Sequence, residues 1–265
     1  MISKEKKFIY IHIIKCGGTS IEEIIEPHCC KVVRPPQADT DLDIWNDCER
    51  LPFTYCSTCS FIHCINGTFN RYNVHSNDKG FEDHSFMSEV HKVLTNKEYN
   101  TYYKFTVVRH PLTKIASLWD FTDGFRVDTC NAGTPTLATG WWQKDWGMTF
   151  PNFIQNLPKL CKESRKAESE TGSYMFSPQV EWLKVNNKIK LDKIIHLENL
   201  NSEWKDIAYK LNLDFHPNHP VHGIGKKRSS NKTTTQYLSL YTQELKDIVY
   251  DVYKEDMEEF NFEIL

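Results

Sequence analysis

Residues 8–26 read FIYIHIIKCGGTSIEEIIE. The run from 8 to 14 is apolar and β-branched, the composition of a strand buried on both faces. Gly17-Gly18 interrupt it, and Thr19 with Glu22 three residues later has the form of a capping box. Ile21, Ile24 and Ile25 then fall on one face of a helix that Pro27 ends. A strand, a glycine turn and a helix together make an anion site, because the first helical amides lack intrahelical acceptors and the helix dipole favours negative charge there. Gly17 and Gly18 let backbone approach a ligand closely, Thr19 and Ser20 offer hydroxyls, and Lys15 brings a charge. With Cys16 between them, these six residues are the first candidate anion site. The lysine precedes the glycines, whereas a nucleotide-hydrolysing P-loop carries it after them.

A second stretch, FTVVRHPLTKIAS at 105–117, has a related layout. YYKFTVV (102–108) predicts another buried strand, and Arg109-His110-Pro111 stops it and starts a helix, since proline is tolerated in a first helical turn. Arg109 then lies at the carboxyl end of a strand, where ligands of open parallel sheets gather. Its fork can grip a phosphate in bidentate fashion, and Ser117, about two helical turns later, lies on the same side. Anion sites at two strand ends imply a ligand with two separated anionic groups.

The rest of the chain supplies the scaffold. KVV (31–33) predicts a short strand, FTYCSTCSFIHC (53–64) one strand or two, and DKIIHLENL (192–200) another. Helices are predicted at about 85–96, 149–161, 177–186, 201–211 and 240–258. Strands alternating with helices argue for an α/β fold, a single domain over 1–265 with a central parallel β-sheet flanked by helices. The stretch 122–148 is long for a connection and is expected to form a lid or binding loop. Its Trp141, Trp142 and Trp146 suit either stacking on a ligand or packing within the lid.

The 265 residues carry a net charge of −3 and a pI near 6.4, which gives no bulk attraction to nucleic acid or anionic membrane. No apolar stretch approaches the roughly 20 residues of a transmembrane helix, and His12 and Lys15 interrupt any signal-like N-terminal run. A cytoplasmic location is expected, the alternative being a trimmed lumenal protein. There are nine cysteines. Cys48, Cys56, Cys59 and Cys64 cluster around His63 without the second well-spaced pair of a zinc knuckle, so free, buried thiols are expected, or disulfides if the protein is secreted.

HIIKCGGTS and FTVVRHPLTKIAS together resemble the two cofactor motifs of sulfotransferases that use 3′-phosphoadenosine 5′-phosphosulfate (PAPS), closest to the carbohydrate sulfotransferase branch. HSFMSEVHKVLTNKEYNTYYKFTVVRHP, SPQVEWL (177–183), DKIIHLENLNSEWKDIAYKLNL (192–213) and the ending YLSLYTQELKDIVYDVYKEDMEEFNFEI are similar to further stretches of that family, so the resemblance covers most of the chain. It implies the sulfotransferase version of a P-loop-like fold, with the first motif on the 5′-phosphosulfate and Arg109 and Ser117 on the 3′-phosphate. It further implies in-line sulfuryl transfer to an acceptor hydroxyl of a carbohydrate or small-molecule alcohol or phenol, with Lys15 beside the scissile linkage and no metal. His84, in DHSF, matches a family histidine in context and is the candidate general base, ahead of His63, Glu89 and His12. The late basic run Lys226, Lys227 and Arg228, within the loop 223–235, is either a solvated surface run or the family's nucleotide-closing loop. Ile14 stands where the family has proline, His110 where Asp or Asn is common, and Cys16 is a poorer donor than Thr. The competing classes are a phosphoryl transferase, which needs the Gly-Lys-Ser/Thr order and a magnesium-binding acid, and a non-catalytic nucleotide-binding protein of the same fold.

Overall fold

A computed structural model of the protein describes residues 1–25, 28, 54–56, 61–63, 86–120, 149–164, 173–213 and 232–265. At its centre is a four-stranded sheet of order β1-β2-β5-β8, formed by β1 (Ile2–Ser3), β2 (Phe8–Ile11), β5 (Tyr103–Val108) and β8 (Lys193–His196). β2, β5 and β8 run parallel, with Phe8 opposite Tyr103 and Val108 opposite His196. The expected parallel core is therefore present, and it gains an antiparallel edge, because β1 folds back on β2 with Ile2 opposite Ile9. All four residues of β2 are buried, as are Phe105, Val107 and Val108 of β5, which fits strands covered on both faces.

Helices cover the sheet. α1 (Gly18–Ile25) follows β2 and buries Ile21 and Ile25. α2 (Met87–Val93) and α3 (Asn96–Thr101) precede β5, and a helix across 111–120, here α4, follows it. The single helix predicted at 85–96 thus ends early and a second begins, because Thr95 caps α3: its hydroxyl accepts from Glu98 N while Glu98 accepts from Thr95 N. α5 (Phe150–Ser164), α6 (Gln179–Leu183), α7 (Leu200–Leu211), α8 (Thr234–Leu238), α9 (Gln243–Val252) and α10 (Lys254–Glu259) complete the set. The long last helix predicted at 240–258 is broken at Tyr253 into α9 and α10.

Two small antiparallel pairs stand apart from the central sheet. β3 (Thr54–Cys56) pairs with β4 (Phe61–His63), so the cysteine-rich stretch forms two strands. β6 (Lys184–Val185) and β7 (Lys188–Ile189) replace the predicted end of the helix at 177–186. Asn186 and Asn187 have φ of 51° and 61°, the left-handed pair that a two-residue hairpin turn requires.

The apolar interior has two parts. One lies on the sheet with α1, α2, α6 and α7, and centres on Phe8, Phe105, Trp182 and Trp204. The other joins α4, α5 and α9 through Leu112, Ile115, Phe153, Leu157 and Val249. Ile14, at the expected proline position, packs against both. No helix among the described residues is long and apolar enough to cross a membrane.

Candidate functional site

The three parallel strands end on one edge of the sheet, and the segments that follow them touch one another. After β2 the chain turns sharply: Cys16 N donates to Ile13 O at 3.3 Å, and Ser20 N to Gly17 O at 3.2 Å. Lys15 and Gly17 are left-handed, with φ of 64° and 76°. A lysine in that region is strained, and its peptide is held from outside the turn, because Arg109 Nη1 donates to Lys15 O at 3.1 Å. The two sequence-predicted anion sites therefore meet directly.

The glycines serve packing beneath the turn. A Cβ on Gly17 would lie 2.6 Å from Leu197 Cδ1, and one on Gly18 would lie 1.9 Å from Cδ2 and Nε2 of His12. Leu197 belongs to the 3-10 turn Leu197–Asn199 that follows β8, so the turn rests on the end of the third strand. The His12 ring is buried, and its Nδ1 lies 2.7 Å from Glu22 Oε1. This alters the reading of Glu22: α1 begins at Gly18, one residue before the predicted cap, and the Glu22 carboxylate meets His12. His12, a lesser candidate for the general base, is thus buried within the scaffold and paired with Glu22. Thr19 and Ser20 lie in the first turn of α1.

Arg109 is fixed on several sides. Its Nε donates to Thr113 Oγ1 at 3.1 Å, and its guanidinium carbon lies 5.4 Å from the centre of the Tyr237 ring. Thr113 stands four residues before Ser117, so Arg109, Thr113 and Ser117 follow one side of α4; Ser117 is buried. Tyr237, on α8, brings the segment just after the basic run 226–228 onto the arginine. Burial lowers the pKa of Arg109 from its ordinary value.

Lys15 is electrically unusual. Burial, then the neighbouring Arg109 charge, pull its pKa down to about 8, against the opposing pull of Asp120. Asp120, at the far end of α4, also pairs with Lys232. The site thus concentrates positive charge on Lys15 and Arg109, next to the first amides of α1.

Cys16 turns inward. Its thiol is 1 % exposed and donates to Gln179 Oε1 at 3.2 Å, and burial pushes its pKa up to about 12. Its amide is engaged with Ile13 O. The structure brings Cys16 to Gln179 and α6, on the inner side of the turn. Gln179 also bonds both backbone groups of Arg109, and Asp256 of α10 bonds Gln179 in turn. Residue-type reasoning missed Thr113, Gln179, Tyr237 and Asp256; the four-residue step from Arg109 through Thr113 to Ser117 was the one local signal.

His110 explains how a histidine fits where Asp or Asn is common. Its Nδ1 accepts from Leu112 N at 3.2 Å, the capping bond that a short polar side chain makes at a helix start, and its Nε2 donates to Glu263 O at 2.9 Å. Its own amide donates to Glu198 Oε1 at 3.0 Å. Both ring bonds require the neutral ring with its proton on Nε2, and burial lowers the pKa below the usual 6.5. The unfolded chain therefore takes up this proton first: the stability His110 contributes is complete above about pH 6.5 and is lost as pH falls below it. In thermal melts, His110→Asn is expected to lower Tm at pH 7.5 by about 2–4 °C through loss of the Glu263 bond. It is also expected to lose less than the parent chain on going to pH 5.5; an equal or greater loss would show that His110 is not the group that titrates.

His84, the basic run Lys226, Lys227 and Arg228, the stretch 122–148 with its three tryptophans, the predicted strand at 31–33, and Cys48, Cys59 and Cys64 lie outside the described residues. Comparison with curated proteins and with solved structures gives no match. The family model described as "Sulfotransferase family" matches residues 1–263, so the chain belongs to the sulfotransferase family.

Proposed function

From that membership, we propose that the protein moves the sulfuryl group of PAPS to the hydroxyl of an acceptor, a carbohydrate or a small-molecule alcohol or phenol. Sulfuryl transfer in general follows from the family; the donor and the roles of individual residues are our reading. The observation that carries it is the bond from Arg109 Nη1 to Lys15 O, which draws the two charged motifs to one edge of the sheet. Two cations beside the first amides of a helix suit a ligand with a 5′ and a 3′ anionic group.

When bound, the donor supplies an activated sulfuryl group on a phosphate leaving group. Lys15 holds positive charge against the bridging and leaving oxygens, where charge develops during transfer. The first amides of α1, with Thr19 and Ser20, bind the 5′ end. Arg109 and Ser117 bind the 3′-phosphate, with Lys226, Lys227 and Arg228 closing over it. His84 takes the acceptor proton.

A thermal-shift comparison tests the reading. 3′-Phosphoadenosine 5′-phosphate is expected to raise Tm, by about 2.7 kcal/mol of added stability at a hundred times its dissociation constant, and ATP is expected to do much less. A response to ATP alone would favour a phosphoryl transferase and sink the proposal. His84→Ala is expected to keep the shift and to lose turnover of an acceptor found by screening; undiminished turnover would remove His84 as the base.

A further inference from the structure

A side-chain amide offers two acceptor lone pairs and two N–H donors, and inside a protein all four need partners. Gln179 is 0 % exposed and meets all four needs within the site. Its Oε1 accepts from Arg109 N at 2.9 Å and from Cys16 Sγ at 3.2 Å. Its Nε2 donates to Arg109 O at 2.9 Å and to Asp256 Oδ2 at 3.2 Å. One amide therefore grips both polar groups of the Arg109 main chain and, on the same oxygen, the residue next to Lys15.

Gln179 is itself held. α6 has Pro178 at its N-cap, which has no side-chain oxygen to offer, and the cap comes from α10. Asp256 Oδ2 accepts from Gln179 N at 2.8 Å, and Oδ1 accepts from Val180 N at 2.9 Å. Burial raises the Asp256 pKa, while these N–H donors and the nearby Lys114 charge favour its ionised form. The acceptor-only geometry of both oxygens is that of the carboxylate. Lys114 is 1 % exposed, lies on α4, and sits 5.5 Å from the Tyr253 ring centre. Burial lowers the pKa of Lys114, and the nearby Asp256 charge opposes that shift.

We propose that Gln179 is a positioning residue of the nucleotide site: it sets Arg109 against the Lys15–Cys16 turn, and Asp256 sets Gln179. The proposal rests on the reading of this edge as the PAPS site. It assigns the role to the spacing between two anion grips, and so to recognition of a nucleotide phosphorylated at both the 3′ and 5′ positions.

The test measures affinities of the full chain for 3′-phosphoadenosine 5′-phosphate and for adenosine 5′-phosphate by titration calorimetry, well below the melting temperature of each variant. The parent chain is expected to prefer the 3′-phosphorylated compound; absence of that preference would overturn the reading of the site itself. Gln179→Met, which keeps volume and removes every bond of the amide, is expected to cut the preference about ten- to thirtyfold. Asp256→Asn is expected to cut it about threefold to fivefold, and the double variant to lose no more than Gln179→Met alone, the mark of two residues acting in series. A merely structural role would lower Tm and leave the preference of the folded molecule unchanged. An unchanged preference in Gln179→Met overturns the proposal while the PAPS reading stands. Additive losses overturn the part given to Asp256. If Gln179→Met does not fold, Asp256→Asn decides on the same ratio: a reduced preference supports the proposal and an unchanged one rejects it.

Discussion

Gly18→Ala is expected to destabilise the protein by about 3 kcal/mol or more, a fall in Tm of about 6–12 °C for a chain of this size. The added Cβ would stand 1.9 Å from two atoms of the His12 ring, well inside any tolerable contact. The ring cannot step aside cheaply. It is buried, its Nδ1 is 2.7 Å from Glu22 Oε1, and it lies stacked near Tyr10 at 6.2 Å between ring centres. Either α1 must move off the sheet or the His12–Glu22 pair must open, and opening leaves buried polar groups without each other. Thermal melts of Gly18→Ala and of the double variant His12→Ala/Gly18→Ala check this. The double variant should recover part of the loss, since it removes the obstructing ring. If Gly18→Ala melts with the parent chain, the close seating of the turn on His12 is wrong. Gly17→Ala makes a milder contrast, because Leu197 Cδ1 is the end of a flexible side chain, although the φ of 76° remains strained for alanine.

The second large effect belongs to Lys15. Replacing it by methionine keeps the apolar stem and removes the charge, and kcat/KM for sulfuryl transfer is expected to fall about 10²–10³-fold, the usual effect of losing one donor to developing charge. Its pKa of about 8 gives the same residue a pH signature. Below that value the Lys15 ammonium is charged and is expected to attract an anion; above it the free protein loses that charge. Affinity for 3′-phosphoadenosine 5′-phosphate should therefore be level up to about pH 7.5 and decline above pH 8. Lys15→Arg, charged throughout this range, should bind with no decline below pH 9.5. If the decline persists in Lys15→Arg, another group causes it.

Much of this edge could be read from residue types alone. The apolar runs before Lys15 and Arg109, the glycine pair and the His-Pro stop all act locally, within a few residues of the elements they define, and the structure has strands and helices where they point. Local signals that went unread include Thr95 with Glu98, which splits the helix before β5, and Asn186-Asn187, whose shared left-handed backbone makes a hairpin. The Glu22 cap misled because a buried histidine ten residues away is a stronger partner than a solvated amide. Gln179 and Asp256 are a different matter. SPQVEWL marks a family-like stretch, but nothing near residue 179 states that its amide will meet residues 16, 109 and 256. Such a role depends on tertiary packing and has no sequence period to reveal it.

The cap on α6 has a consequence for the order in which the protein matures. Asp256 accepts from amides made 76 and 77 residues earlier, and Glu263 O accepts a hydrogen bond from the ring of His110, 153 residues back. During translation the glycine turn and Arg109 emerge long before the carboxylate that locks Gln179 between them. A nascent chain lacking α10 therefore holds Lys15 and Arg109 without the buried carboxylate that caps α6 and bonds Gln179.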